Sequence, residues 1–248
     1  MSESQKIKKI SASDQVYDAL KQLIVSEQWK AGEKIPTEMQ LSETYGVNRL
    51  TVRVALQRLQ AIGLLDIRVG DGTYIKDFDM CSNILELSAF YSANVSHNEI
   101  REYRYYIENT CLVLALQRRT DEDLRRYWDK YQEMLDHVNF YFAADDEDIL
   151  DKELMLQADL SLDIHTILCD MAHNQLLNYA FAIVKGSMRQ LMLINIVRRM
   201  LEPDTTKQFL KCYEELGKCL ESRDSLRAGE KLKEIIDIRL PEAENQVK

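Results

Sequence analysis

A short polar stretch in the N-terminal third of the chain carries side chains able to bind nucleic acid. Asn48, Arg49, Thr51 and Arg53 follow one another closely. An arginine can donate two parallel hydrogen bonds to a guanine edge, and all three residue types can donate to phosphate oxygens. Such side chains reach a major groove when they lie at the N-terminal end of a helix. The stretch therefore predicts contact with double-stranded DNA.

Local signals place these residues at the start of the second of two helices. Thr37 is a favourable N-cap for a first helix that runs to about Tyr45, and Gly46 can take the left-handed conformation that ends it. Asn48 is expected to cap the second helix, over residues 49–61. Its apolar residues recur at the spacing of one buried face: Val52, Ala55, Leu56, Leu59 and Ile62. The polar residues are left on the opposite face.

A β-ribbon is expected to follow these helices. Residues 64–68 and 73–76 read as two short strands, and Gly70-Asp71-Gly72 between them is a turn sequence. Two helices broken at a glycine and followed by a ribbon are the pattern of a winged helix-turn-helix. Arg68 and the backbone at Gly70 and Gly72 are therefore further candidates for DNA contact.

The motifs in this region fall in one order and spacing. They are Pro36-Thr37-Glu38, Leu41-Ser42, Gly46-Val47-Asn48-Arg49, Thr51-Val52-Arg53, Ala55-Leu56, Leu59, Gly63-Leu64 and Gly70-Asp71-Gly72-Thr73. This order resembles the DNA-binding domain of the GntR family of bacterial transcription regulators. The resemblance implies that Arg49 reads a guanine, whereas Thr51, Arg53 and the two wing glycines hold phosphates or the minor groove. Met39 and Leu50 depart from the residues that many members have at these positions, so no relative's operator sequence can be carried over.

The composition excludes several classes of protein. With 248 residues, 46% of them hydrophobic, the chain can bury a sizeable core. It has no run of about 18 apolar residues, so we expect no membrane span, and its first residues lack the apolar core of a secretion signal. Five cysteines without CxxC pairs favour thiols in a reducing cytoplasm.

The acidic charge is concentrated away from the predicted DNA contacts. The net charge is −9, but residues 1–78 hold 11 Lys and Arg against 10 Asp and Glu, whereas the remainder holds 21 against 31. A net charge of +1 is small for a DNA-binding domain. Affinity is therefore expected to come from local basic clusters and to fall steeply with salt. These clusters are Lys6, Lys8 and Lys9; Arg49, Arg53 and Arg58; and Arg68 and Lys76.

The rest of the chain has helical periodicity throughout. Residues 6–11 are expected to form a basic arm, and residues 13–28 a first amphipathic helix. We assign residues 1–78 to a winged helix-turn-helix domain, 79–83 to a linker and 84–248 to an all-α bundle of six or seven helices. The expected bundle helices cover residues 84–93, 97–119, 121–142, 148–172, 175–201, 203–222 and 225–243. The predicted fold class is mainly α, with one small β-ribbon.

Spaced motifs in the second half indicate a subgroup of the family. They are Glu102-x-Arg104-x-x-x-Glu108, Asp159 to His165 with Asn174 nine residues later, and Arg223-Asp224-x-x-x-Ala228. In this order they are similar to the effector-binding and dimerisation domain, of FCD type, of the FadR-type regulators. The resemblance implies a homodimer that binds a small organic acid. Arg104 and His165 are the first candidates for effector contact, and Asn174 and Arg189 are further ones.

A divalent metal is the cofactor that this resemblance raises. Many FadR-type regulators hold such a metal beneath the effector with one aspartate and three histidines, of which His165 matches one. Ser161, Tyr213 and Ile235 stand where the other three ligands would be. We expect no metal and no other cofactor, because one imidazole cannot replace four ligands.

Each candidate site also has a purely structural interpretation. Arg104 could form an intrahelical ion pair with Glu108, and His165 could be a hydrogen-bonded core histidine. The other histidines, His97, His137 and His173, have no partner spacing and are given no role.

The sequence favours a cytoplasmic, ligand-responsive transcription regulator that binds a palindromic operator as a homodimer. A second interpretation keeps the DNA binding but makes the bundle a dimerisation module without an effector. A helical-bundle enzyme would need paired carboxylates or metal-ligand clusters on facing helices, and we find none in the sequence. We therefore predict that the protein is not an enzyme.

Overall fold

The computed structural model describes residues 10–92, 94–143, 147–200 and 203–237. The predicted basic arm at Lys6, Lys8 and Lys9 lies outside these residues, as does the end of the last predicted helix, residues 238–243. The chain divides into two compact units, Met1–Asn83 and Ile84–Lys248.

The first unit is a winged helix-turn-helix. Its elements are α1 (Ala12–Val25), α2 (Glu38–Tyr45), α3 (Arg49–Ala61), β1 (Leu65–Arg68) and β2 (Gly72–Ile75). The two strands are antiparallel, with Leu65 opposite Ile75 and Arg68 opposite Gly72. Helices and ribbon share one buried core, made of Val16, Leu20, Ile35, Leu41, Val52, Ala55, Leu56, Leu59, Leu65 and Ile75. This common core holds α3 and the wing in one rigid arrangement.

Caps explain where the helices of this unit begin and end. The Thr37 hydroxyl accepts from the Gln40 N–H, and the Gln40 side chain accepts from the Thr37 N–H, which is a capping box. Asn48 caps α3, and Gly46 ends α2 with φ of 63° and ψ of 33°. The placement of Ile62 on the buried face of α3 was wrong. Ile62 is the C-cap residue and is 43% exposed, because the chain leaves the helix there.

Two predicted boundaries shift for local reasons. The first helix ends at Val25 rather than near residue 28, because the chain turns at Glu27, which has a positive φ of 56°. Helix α4 (Met80–Ser92) begins inside the predicted linker 79–83. Asp79 explains this start, because its side chain accepts from the Cys81 N–H at 2.9 Å and acts as a cap.

The second unit is a helical bundle. After α4 it contains α5 (His97–Arg118), α6 (Asp121–Ala143), α7 (Glu147–Asp170), α8 (Gln175–Met200), α9 (Pro203–Ser222) and α10 (Ser225–Asp237). Its largest fully buried side chains come from five of these helices: Leu112, Tyr127, Met134, Ile164, Leu168, Met188, Tyr213 and Leu216. The prediction of a mainly α protein with one small ribbon is confirmed.

Helix α8 contains a long apolar stretch. By length and composition alone, Gln175–Val197 could cross a membrane. Part of this apolar character is used inside the bundle, because α8 contributes buried residues to its core: Phe181, Val184, Met188, Met192 and Ile196. Packing therefore explains one face of the helix without a membrane.

Candidate functional site

The outer face of α3 carries the residues predicted to contact DNA. Val52, Ala55, Leu56 and Leu59 turn into the core. Arg49 and Arg53 lie outside this buried face and are exposed. At the N-terminus of α3, the Asn48 side-chain oxygen accepts from the backbone N–H and the hydroxyl of Thr51, at 2.8 and 3.0 Å. Asn48 and Thr51 thus fix the end of the helix that a groove would receive.

Arg53 is oriented by a carboxylate of the preceding helix. Its Nε and Nη2 donate to the two oxygens of Glu38, at 2.9 and 2.7 Å. This bidentate geometry is the strongest that an arginine and a carboxylate form. The Arg53 guanidinium holds the pKa of Glu38 below its usual range, and the charge of Arg49 acts in the same direction. The Arg53 guanidinium is therefore held in one orientation before DNA binds.

Arg49 differs from the other arginines of this unit. Arg53, Arg58 and Arg68 each form an ion pair. For Arg49, no hydrogen bond or ion pair occurs among the residues that the structure describes. Its guanidinium can engage a ligand without first releasing a protein carboxylate.

The wing is braced around Asp71. The Asp71 carboxylate accepts from the Lys34 Nζ at 3.2 Å and from the Tyr74 hydroxyl at 3.0 Å. The Arg68 guanidinium lies over the Tyr74 ring, 4.3 Å from its centroid, and its Nε donates to Asp66 at 2.8 Å. Gly70 has a positive φ of 80°, a conformation that glycine adopts without strain. These contacts place Arg68, Gly70 and Gly72 together at the wing.

A buried polar cluster lies in the bundle, where α5, α7 and α9 meet. His165 is fully buried, and its Nδ1 lies 2.6 Å from a Glu108 oxygen. The Tyr213 hydroxyl lies 2.8 Å from the His165 Nε2, and the Arg104 Nη2 lies 2.7 Å from the same nitrogen. We assign the ring proton to Nδ1, where it is donated to Glu108, so that Nε2 accepts from Arg104 and Tyr213.

Glu108 is the counter-ion of the cluster. It is fully buried, and its second oxygen accepts from the Arg104 Nε at 2.5 Å. Burial opposes the charge of this carboxyl, but Arg104 and His165 outweigh it and hold the pKa of Glu108 below its usual range. The structural interpretation of Arg104 and His165 is thus realised in this conformation. Arg104 keeps 12% of its side chain exposed, so the cluster has one edge toward solvent.

The residues around His165 do not fit a divalent metal. A guanidinium nitrogen of Arg104 lies 2.7 Å from Nε2, where a bound cation would be repelled. The Ser161 hydroxyl points to the Met134 sulfur at 3.8 Å, and Ile235 has no donor atom. Within the described part of the chain, no group of three His, Cys, Asp or Glu side chains could hold a metal ion.

The two further effector candidates serve other contacts. The Asn174 side-chain oxygen accepts from the backbone N–H of Leu176 and Leu177, at 3.1 and 3.3 Å, at the start of α8. Arg189 forms a bidentate pair with Asp159, at 2.5 and 2.8 Å, and this pair is about half exposed. Of the four predicted effector residues, the structure brings Arg104 and His165 together.

Two histidines without predicted roles have partners on neighbouring helices. His137 is buried and its Nδ1 lies 2.9 Å from the Gln157 oxygen, while its Nε2 contacts Glu153. His173 Nε2 lies 2.8 Å from an Asp123 oxygen. Sequence spacing could not show these pairs, because the partners belong to helices that meet only in the fold.

A surface groove between α6 and α7 lies apart from the buried cluster. Its lining is Arg126, Asp129, Lys130, Glu133, Asp163, Thr166 and Ile167. Lys130 is paired with Glu133 and Asp163, at 2.6 and 3.3 Å. Two cations and three acids line the groove, so most of its charge is compensated within the protein.

Comparison with known proteins identifies both units. The family model described as "Bacterial regulatory proteins, gntR family" matches residues 12–75, and the one described as "FCD domain" matches residues 99–237. The chain is 30% identical, over 173 residues, to the HTH-type transcriptional regulator LutR of Bacillus subtilis (strain 168), covering 68% of this chain and 73% of LutR.

Two further proteins are similar over different lengths. The mannosyl-D-glycerate transport/metabolism system repressor MngR of Escherichia coli (strain K12) is 36% identical over 76 residues, which span 31% of this chain and 32% of MngR. A solved structure of Streptococcus agalactiae GntR superposes with a TM-score of 0.61 at 20% identity, covering 90% of this chain and 97% of that one. The latter likeness is one of fold. With the winged unit and the helical bundle both matched in order, the chain belongs to the GntR family of transcription regulators and carries an FCD domain.

Proposed function

We propose that this GntR-family regulator binds a two-fold symmetric operator as a cytoplasmic homodimer, with Arg49 of each α3 reading a guanine. The outer face of α3 carries this proposal, because Arg49 there has no intramolecular ion pair among the described residues while Arg53 is held beside it by Glu38. Two copies related by a two-fold axis match the two halves of a palindrome. Asn48, Thr51, Arg53, Arg68 and the backbone at Gly70 and Gly72 position the helix on phosphates.

The DNA-binding part is tested with the full chain and its own upstream intergenic region. Binding is measured at several salt concentrations for wild type, Arg49→Ala and Arg58→Ala. Arg58→Ala is a matched control, because it also removes one positive charge from α3. Unlike Arg49, Arg58 is paired within the protein, with Asp14 at 2.7 Å. We expect Arg49→Ala to reduce binding to the level of unrelated DNA. Arg58→Ala should weaken binding only slightly and to the same extent for operator and unrelated DNA, because Arg58 belongs to the same basic cluster but its charge is already paired with Asp14. Equal binding by wild type and Arg49→Ala would contradict the role of Arg49.

The dimer is tested by light scattering coupled to size-exclusion chromatography, with and without the DNA fragment that the protein binds. We expect two chains per operator, since one winged unit reads one half-site. One chain per operator would exclude the two-fold arrangement.

The proposed effector is a small organic acid that binds at Arg104 and His165. A guanidinium beside a buried carboxylate can exchange one carboxylate partner for another, because both offer the same pair of oxygens. The effector carboxylate would take the place of Glu108 on Arg104, and the contacts of Glu108 with His165 would change with it. Such a ligand shifts the regulator only by its differential affinity for the two states. No metal takes part in this proposal, because the donors at the site do not fit one.

The effector part is tested by thermal unfolding of the full chain with acetate, L-lactate, pyruvate, succinate and gluconate. A ligand at about 100 times its Kd stabilises by about 2.7 kcal/mol, which corresponds to a rise of several degrees. We expect at least one acid to raise the Tm of wild type. The double variant Arg104→Gln/Glu108→Gln should lose this response. It removes both charges together, so no buried charge is left without a partner, and Glu108→Gln also keeps the size of that side chain.

A second candidate function is a bundle that dimerises without an effector. It is favoured by the contacts within the cluster, since Arg104 already has a carboxylate partner and His165 is buried. An unchanged Tm with every acid, together with intact operator binding, would support this candidate over the effector proposal.

A further inference from the structure

The outer face of α3 contains an apolar side chain at its centre. Leu50 is 67% exposed, and Val54, one turn later, is 37% exposed. At about 100° per residue, Leu50 projects about 170° away from the centre of the face formed by Val52, Ala55, Leu56 and Leu59. Leu50 therefore points almost directly away from the core of its own unit.

The neighbours of Leu50 are cationic. Arg49 precedes it, and Arg53 follows one turn later, held by Glu38 at 2.7 Å. A helix face with two arginines beside a leucine suits a surface that is anionic at its edges and apolar at one point. The major groove is such a surface, because phosphates line it and the C5-methyl of thymine is the apolar group that a base pair presents there.

We propose that Leu50, assisted by Val54, contacts the C5-methyl group of a thymine next to the guanine read by Arg49 in each half-site. This inference rests on the proposed function, since it requires α3 to enter the major groove. Leucine offers no hydrogen bond, so it selects thymine by the methyl alone. If adenine or cytosine replaces this thymine, its amino group faces Leu50 in the major groove. Leucine cannot hydrogen-bond to that amino group, which then remains without a partner. Leu50 thus determines specificity at one position of the operator.

The test uses the full chain and a uracil scan. A preferred sequence is first selected from randomised duplexes by wild-type protein. Each thymine of a half-site is then replaced singly by deoxyuridine, which removes the C5-methyl and keeps base pairing. Dissociation constants are measured for wild type, Leu50→Ala and Val25→Ala. Val25 is a matched control in the same unit, because it is 65% exposed at the end of α1.

One thymine should be sensitive in wild type. Removal of a methyl-sized apolar contact is expected to weaken binding about fourfold. Leu50→Ala should bind the thymine and uracil duplexes equally, while Val25→Ala should show the wild-type difference. Thermal unfolding should give the same Tm for all three proteins, because both substituted side chains are exposed.

Two results would overturn the inference and leave the proposed function intact. The first is a selected operator in which no uracil substitution weakens wild-type binding. The second is a uracil effect that persists unchanged in Leu50→Ala, which would assign it to DNA shape rather than to this side chain. Failure to select any sequence at any salt concentration would instead contradict the proposed function.

Discussion

The carboxylate of Glu38 and the guanidinium of Arg53 form a bidentate pair that joins the first residue of α2 to the middle of α3, with distances of 2.9 Å from Nε and 2.7 Å from Nη2. This contact uses two of the five N–H groups of an arginine. The other edge of the guanidinium, formed by Nη1 and Nη2, can still donate to DNA. Glu38 is therefore a positioning residue for Arg53.

Glu38→Gln is expected to weaken binding of the selected operator about threefold to tenfold, because Arg53 loses its fixed orientation. Loss of a negative charge near DNA would by itself strengthen binding, because the phosphates are anionic. A weaker operator affinity in Glu38→Gln would therefore indicate the loss of Arg53 positioning and not this general charge effect. The measurement is the dissociation constant at fixed salt, for the operator and for unrelated DNA. Glu43→Gln removes the same charge from the exposed side of the same helix and should not weaken operator binding.

A double-mutant cycle separates positioning from a general charge effect. In an Arg53→Ala background, Glu38→Gln should have no further effect on operator affinity, because its partner is absent. A change of equal size in both backgrounds would mean that Glu38 does not act through Arg53. Glu38 also stabilises the N-terminus of α2 by its negative charge. The Tm of each variant measures the loss of this stabilisation, so that an effect on folding is distinguished from an effect on DNA binding.

Two glycine substitutions should change stability in opposite directions. Gly46→Ala meets no atom within 4 Å, but its φ of +63° is unfavourable for a side chain, so a loss of about 1 kcal/mol is expected. Gly229 lies inside α10, where an added Cβ would have only Asn109 Oδ1 nearby, at 3.9 Å. Gly229→Ala should therefore stabilise by about 0.5 to 1 kcal/mol. Chemical unfolding of the full chain measures the change in free energy of unfolding for each variant. If both variants were stabilised or both destabilised, the argument from backbone conformation would be contradicted.

The helices and the ribbon could be predicted because their signals are local. Thr37, Asn48 and Gly46 act at the helix ends within a few residues of their own positions. The fold of the first unit followed from such signals and from one apolar face per helix. Asp79 was missed as a cap because no clear apolar period follows it, so the start of α4 was placed too late.

Contacts between helices could not be predicted in the same way. The sequence offered Glu108 as a partner of Arg104, four residues away, and the structure contains that pair. Tyr213 meets His165 across 48 positions, and Arg189 meets Asp159 across 30. Only the packing of α7 against α8 and α9 sets these distances. Spacing within a single helix carries no information on them.

The cysteines should differ sharply in reactivity. Cys111, Cys169, Cys212 and Cys219 are buried, whereas Cys81 is partly exposed. Burial, reinforced by the neighbouring Cys111, raises the pKa of Cys169 well above its usual range and so disfavours the reactive thiolate. We expect an aromatic disulfide reagent to modify one thiol rapidly in the native protein and the others only after unfolding. Cys81→Ser should remove the fast phase, and a fast phase that survives this substitution would contradict the assignment.

Glu108 should give the bundle a characteristic dependence on pH. Its pKa is below the usual range in the folded state, so its charge stabilises the fold above the unfolded pKa of about 4.3, and this contribution is lost as pH falls through the folded pKa. Glu108→Gln leaves Arg104 without its carboxylate and should cost about 3 kcal/mol at pH 7. The difference in free energy of unfolding between wild type and variant should narrow progressively below about pH 4, because Glu108 of the wild type then loses its charge. The remaining acids titrate in both proteins and do not contribute to this difference. Urea unfolding at pH 7, 5, 4 and 3 measures it. Glu102→Gln, on the exposed side of α5, is the control and should show no such dependence on pH. If the difference between wild type and Glu108→Gln were constant with pH, the buried carboxyl would not be charged in the folded protein.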